Sequence, residues 1–149
     1  MPVLDRPAAY RTPQVGAQSP IHSLTQRHLR WVHRAISVAK NSSHSFRMGS
    51  VGVRGGTVLG SAVNRFRNHP TVVDDWWHCS VHSEQALAAG CSLAGSDVYV
   101  ARLDKSGSAA LAKPCRECWE TLHAAGVRSV MWTVDPFTVA VANFSADRY

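Results

Sequence analysis

Four side chains in two short segments of this chain can bind a metal ion and move protons. His82 and Glu84 stand two apart in Val81-His82-Ser83-Glu84, and Cys115 and Cys118 stand three apart directly after Pro114. One imidazole nitrogen and two thiolates form a donor set for zinc, and three protein ligands leave a fourth position open, as catalytic sites do. Cys115 and Cys118 share a face when they lie on one helical turn. A helix N-terminus carries partial positive charge, which favours the thiolates that a metal requires. Glu84 is two residues from His82 and so points away from the imidazole, which suits a proton carrier beside the metal. A structural zinc knuckle closed by a fourth ligand, such as His78 or Cys79, is the other arrangement these residue types allow. Such sites seldom sit inside a sheet-bearing α/β pattern, and a non-catalytic zinc-stabilised module has no need of the Glu84 carboxylate.

The elements that must position these groups can be read from the spacing. Ser23 as N-cap with Gln26 three residues later fits a capping box and predicts a helix to Lys40, with Leu29, Val32, Ile36 and Ala39 as its apolar stripe. Arg27, Arg30 and Arg34 share another face of it. Residues 48–64 predict two strands around a Gly55-Gly56 turn. Residues 65–79 predict a long loop, of the kind that is often functional. Ser80–Ala89 predicts a helix stopped by Gly90. Asp97–Leu103 predicts a strand and Asp104–Lys113 a connecting loop. Pro114 opens a helix to about Ala125, with Gly126 after it. Two strands follow, Arg128–Val134 and Phe137–Phe144, joined by Asp135-Pro136 and therefore antiparallel. Helices alternating with strands predict an α/β fold with a mostly parallel sheet covered on both faces.

The sequence His82-x-Glu84 followed by Pro114-Cys115-x-x-Cys118 matches the signature of zinc nucleobase deaminases, and over roughly residues 24–144 the chain resembles the cytidine/deoxycytidylate deaminase superfamily. The resemblance implies a three-layer α/β fold, in which a five-stranded mixed sheet carries both metal-binding helices on one face. It implies hydrolytic conversion of cytosine to uracil with release of ammonia. His82, Cys115 and Cys118 would hold Zn2+, and Glu84 would move protons between water, the ring nitrogen and departing ammonia. Asn64, ending the second strand, matches an Asn that binds the substrate's sugar or base. Ser83 stands where the family's helix usually has Ala. His82 stands where nucleoside-level cytidine deaminases have Cys, which points to the nucleotide and nucleic-acid branches. The antiparallel final hairpin is instead similar to the nucleoside and toxin-type branches. The resemblance also favours a homo-oligomer and, through His78 and Cys79, admits a second, structural zinc.

Charge and composition bear on substrate and place. Residues 1–70 hold ten Arg/Lys and one acidic residue, while residues 71–149 hold six basic and nine acidic residues, so the net +6 is concentrated in the first half. That suggests a polyanionic partner or a phosphate-bearing substrate, against the plainer reading of a solvated basic face. Arg65 and Arg67 are candidates for phosphate binding and Trp77, with Trp76, for stacking on a base. Trp119 and Trp132 read as core, and Cys79 and Cys91 as small buried apolar groups. The 149 residues, 45% of them hydrophobic, suffice for one domain with a real core, expected over 23–149 after a flexible or surface-draped arm, 1–22. No apolar run is long enough for a bilayer, and no secretory signal is visible, so a cytoplasmic protein without a membrane partner is expected. Three functions follow from these readings: deamination of a cytosine-bearing nucleotide; deamination of cytosine or adenine in single-stranded DNA or RNA; and a non-catalytic zinc-stabilised binding module.

Overall fold

The computed structural model describes residues 17–66 and 80–144. The chain runs β1 (Ala17–Pro20), a single 3-10 turn (Ile21–Ser23), α1 (Gln26–Ala39), β2 (Arg47–Arg54), β3 (Thr57–Val63), β4 (Arg65–Phe66), β5 (Ser80–Val81), α2 (Ser83–Gly90), β6 (Asp97–Leu103), β7 (Ala109–Ala110), α3 (Arg116–Ala124), β8 (Ser129–Asp135) and β9 (Thr138–Asn143). The main sheet has the order β1-β9-β8-β6-β2-β3, with β7 paired to β6; β4 and β5 form a separate two-stranded ribbon.

The sheet is the middle of three layers, and its inner strands are apolar on both faces. Successive side chains on a strand point to opposite faces. Thus Val98 and Val100 of β6, Val130 and Trp132 of β8, and Ala140 and Ala142 of β9 pack with Leu87 of α2 and Trp119 and Leu122 of α3. Their neighbours Tyr99, Ala101, Met131 and Val139 pack on the other side with Trp31, Val32 and Ala35 of α1. Both helices that carry the metal-ligating residue types therefore share one face, and α1 covers the other. Trp119 and Trp132 are core residues, as expected. Helix α1 approaches the sheet closely at Gly49, where a β-carbon would lie 2.5 Å from the Ala39 nitrogen and 2.8 Å from the Ala35 oxygen.

The five long strands are the five expected from the sequence, and the last two are antiparallel. Four short strands are added: β1 along β9, from the stretch expected as an arm; β7 within the expected loop; and the β4–β5 ribbon, from the start of the expected 65–79 loop and of the expected Ser80–Ala89 helix. The expectation of a mostly parallel sheet is corrected. Among the described strands only β6 and β8 run parallel, across the α3 crossover. The β2–β3 and β8–β9 turns are tight hairpins, which force antiparallel neighbours, and β2 also pairs antiparallel with β6. The Gly55-Gly56 turn forms as expected, with both glycines at positive φ, 57° and 79°.

Helix ends differ from expectation in three places. Thr25, not Ser23, caps α1: its extended backbone lets its hydroxyl accept from the His28 N–H at 3.3 Å. Ser23 lies in the 3-10 turn and donates back to the Pro20 carbonyl. Helix α2 begins at Ser83 because Ser80 and Val81 are taken up in the ribbon with Phe66 and Arg65. Helix α3 begins at Arg116, with Cys115 as its N-cap, so Pro114 precedes the cap. The buried face of α1 is Trp31, Val32, Ala35 and Ala39, with Leu29 and Ile36 at its margins, while Arg27, Arg30 and Arg34 are exposed. No described helix is long and apolar enough to cross a membrane.

Candidate metal centre

The ends of two neighbouring helices bring the donors together. His82 is the N-cap of α2, with extended backbone (φ −70°, ψ 152°), and its N–H is received by the Gln85 side chain at 3.1 Å. Cys115 is the N-cap of α3 and Cys118 its third helical residue. An N-cap side chain normally accepts from a backbone N–H at that position, and here Cys115 Sγ accepts from the Cys118 N–H at 3.5 Å. The pairing that caps the helix thus also places the two sulfurs side by side.

His82 Nδ1 lies 3.1 Å from Cys118 Sγ and 3.5 Å from Cys115 Sγ. All three donor atoms lie within 4.8 Å of one another. A nitrogen and a sulfur on one tetrahedral zinc, at Zn–N of about 2.0 Å and Zn–S of about 2.3 Å, stand about 3.5 Å apart. The three donors are therefore spaced to share one ion. Cys118 is buried, His82 half-buried and Cys115 exposed, so the centre opens on the Cys115 side.

The electrostatics suit cation binding. A hydrogen bond from Cys118, with help from His82 and against the effect of burial, holds the Cys115 thiol down at about 4. Cys118 is pushed up as the donor of that bond, and further by burial and the nearby Glu84 charge. The His82 imidazole is raised, first by its hydrogen bond with Cys115, while burial pulls the other way. The Cys115 sulfur is thus favoured as a thiolate at a helix N-terminus, the form that a metal requires.

Glu84 is 2% exposed. Burial pushes its carboxyl up from the ordinary value, opposed by its own backbone N–H, the Ser83 hydroxyl and the His82 charge. Ser83 Oγ donates to Glu84 Oε1 at 2.9 Å and lies 2.6 Å from Ser50 Oγ of β2. A buried carboxylate with a raised pKa next to a cation site has the properties of a group that exchanges protons.

Asn64 is brought to the same end of the sheet and is 4% exposed. Its Oδ1 accepts from Ser42 Oγ at 2.7 Å and from the Met48 N–H at 2.9 Å, and its Nδ2 donates to the Phe46 carbonyl. The side chain fastens the loop between α1 and β2. Arg65 is exposed and pairs across the ribbon with Val81, the residue before His82. Arg67, Trp76, Trp77, His78 and Cys79 lie outside the described residues. Cys91, expected as buried, is half-buried, with its sulfur against Gly60.

Two further residues border the site without belonging to any motif of the sequence. His44, in the loop that Asn64 fastens, is close enough to His82 to feel its charge; burial first, then that charge, push its imidazole down. Ser50 is a fully buried serine between buried Gly49 and Val51. Its one signal in the sequence is a hydroxyl in an otherwise apolar stretch.

Comparison with known proteins agrees with this geometry. Residues 25–134 match the family described as the cytidine and deoxycytidylate deaminase zinc-binding region. The fold is similar to the crystal structure of dCMP deaminase from the cyanophage S-TIM5 in apo form. That likeness has 17% identity, a TM-score of 0.53, and covers 72% of this chain and 82% of that one. The complex of the same enzyme with dCMP and dUMP matches equally, at 17% identity and a TM-score of 0.54 over 73% of this chain and 82% of that one. No curated protein sequence matches the chain.

Proposed function

This chain belongs to the cytidine and deoxycytidylate deaminase family, and on that footing we propose that it hydrolytically deaminates a cytosine-bearing nucleotide of the deoxycytidylate type. The observation that carries the reading is the His82, Cys115 and Cys118 donor cluster beside the buried Glu84 carboxylate. Those three residues would hold the zinc, which when bound supplies a Lewis acid that brings the pKa of a water molecule towards about 7.

Glu84 takes a proton from the attacking water and gives it to the ring nitrogen N3. The water oxygen adds to C4. Glu84 then carries the second proton to the exocyclic nitrogen, the C4–N bond breaks, and ammonia leaves with uracil as product. One carboxylate acts first as base and then as acid, which its raised pKa favours. Exposed Arg65 next to the start of the metal helix, and Arg67 and Trp77 beyond it, are the proposed contacts to phosphate and base. Asn64 is proposed as a substrate contact through its second amide hydrogen.

The test is release of ammonia from deoxycytidylate, followed by mass spectrometry of the product. Glu84→Gln is expected to abolish turnover while the protein retains its zinc. Turnover of deoxycytidylate unaffected by that change would sink the assignment. A second reading, deamination within single-stranded DNA or RNA, is favoured by the exposed arginines of α1. Activity on oligonucleotides alone, falling steeply with salt, would replace the first reading with this one.

A further inference from the structure

We propose that Ser83, backed by Ser50, is a positioning residue that holds one oxygen of the Glu84 carboxylate so that proton transfer runs through the other. The inference rests on the deaminase reading above, in which Glu84 is the proton carrier.

Ser83 opens α2 and Ser50 lies in the middle of β2; both are fully buried. Ser83 Oγ is 2.9 Å from Glu84 Oε1 and 2.6 Å from Ser50 Oγ. An ionised carboxylate can only accept, so the direction of the chain follows: Ser50 O–H donates to Ser83 Oγ, and Ser83 O–H donates to Oε1. When Glu84 takes up a proton, Oε1 still has this donor, and the proton resides on Oε2. Oε1 is therefore engaged by Ser83 in both protonation states, which leaves Oε2 as the oxygen that takes and gives the proton.

The sequence bears on this. Ser83 and, facing it from β2, Ser50 place two small hydroxyls in an otherwise apolar interior. An alanine at either place would fill much the same space without needing a partner. Buried hydroxyls require hydrogen bonds, and these two make theirs to each other and to Glu84. A Glu side chain has three rotatable torsions, and a fixed donor on one oxygen removes freedom that would otherwise be lost on reaching the reactive geometry.

The experiment compares Ser83→Ala, Ser50→Ala and the double variant as zinc-loaded protein. Loss of one hydrogen bond to a charged group predicts a roughly tenfold fall in kcat for Ser83→Ala. KM for deoxycytidylate and the zinc content are expected to match wild type. Ser50→Ala is expected to cost less, and the double variant no more than Ser83→Ala, because Ser50 acts only through Ser83. Infrared spectroscopy reads the contact without activity: the Glu84 carboxylate band, found as the difference between wild type and E84Q, should shift in Ser83→Ala. A hydroxyl pair that merely supports the fold would lower Tm and leave both kcat and the band in place, and that result overturns the proposal. If wild type turns over no cytosine compound, the functional assignment fails on its own. The infrared band then still decides whether Ser83 holds Glu84, a shift supporting the contact and an unmoved band removing it.

Discussion

His82 and Cys115 occupy N-cap positions, where helices usually place Ser, Thr, Asp or Asn. Capping and metal binding ask different things of the same atom, so they can be separated. Cys115→Ser is expected to keep the cap, since a serine hydroxyl is a preferred N-cap acceptor, while zinc is lost. Metal analysis should show depleted zinc, and thermal melts in chelator should match those of chelated wild type. A second residue-scale expectation concerns Asp97 at the far end of β6. Burial pushes its carboxyl up, but hydrogen bonds from Arg128 at 2.6 Å and from Ser129, and the Arg128 charge, outweigh it and hold the group below its ordinary value. A lowered folded-state pKa stabilises the fold above the unfolded value, near pH 4, and that contribution is lost as pH falls through the folded value. Melts of wild type should therefore weaken below about pH 4, with a shallower decline in Asp97→Asn. At this scale the sequence was legible where chemistry is local. The metal-ligating types announce themselves through a three-residue spacing, whereas the partners of Asn64 and Ser50 lie 22 and 33 positions away, which local spacing does not reveal.

The elements were legible where a turn or a period imposes itself. Two glycines at positive φ mark the β2–β3 hairpin, and two-sided apolar strands mark the middle layer. Strand direction was not, because alternation of helix and strand is also satisfied by hairpins flanking a single crossover. The start of α1 is ambiguous in the sequence because Ser23 and Thr25 carry equivalent hydroxyls, and the choice depends on the 3-10 turn, itself held where the Ile21 N–H donates to the Phe137 carbonyl. The contact of α1 with β2 is the element-scale feature most open to test. A methyl at Gly49 meets backbone, which cannot rotate away. Gly49→Ala should destabilise by about 1–3 kcal/mol, measured by urea unfolding, as the helix is pushed off the sheet. Gly90→Ala, which meets nothing within 4 Å, is the matched control.

For the molecule as a whole, the sheet separates two kinds of surface. The arginines of α1 stand on one side, and α2 and α3 carry the donor cluster on the other. Charge concentration in the first half was plain in the sequence, but the placement of Arg27, Arg30 and Arg34 opposite the metal helices was not, since it depends on which face α1 covers. Replacing Arg27, Arg30 and Arg34 together by Glu should leave kcat/KM for deoxycytidylate unchanged. Any binding of single-stranded oligonucleotide that weakens with salt should be lost in the same variant. Steady-state kinetics and a salt titration of oligonucleotide binding read the two effects separately.

The pairing of β1 with β9 also gives the order of assembly a direction. Ala17 lies opposite Val141 and Pro20 opposite Thr138, so the first described strand is completed by the last. During synthesis from the N-terminus, β1 leaves the ribosome long before its partner exists, and it must wait unpaired while α1 and the β2–β3 hairpin close local contacts. Its docking can only be a late event, a clasp that fastens the sheet after the layers around the metal-binding helices have formed.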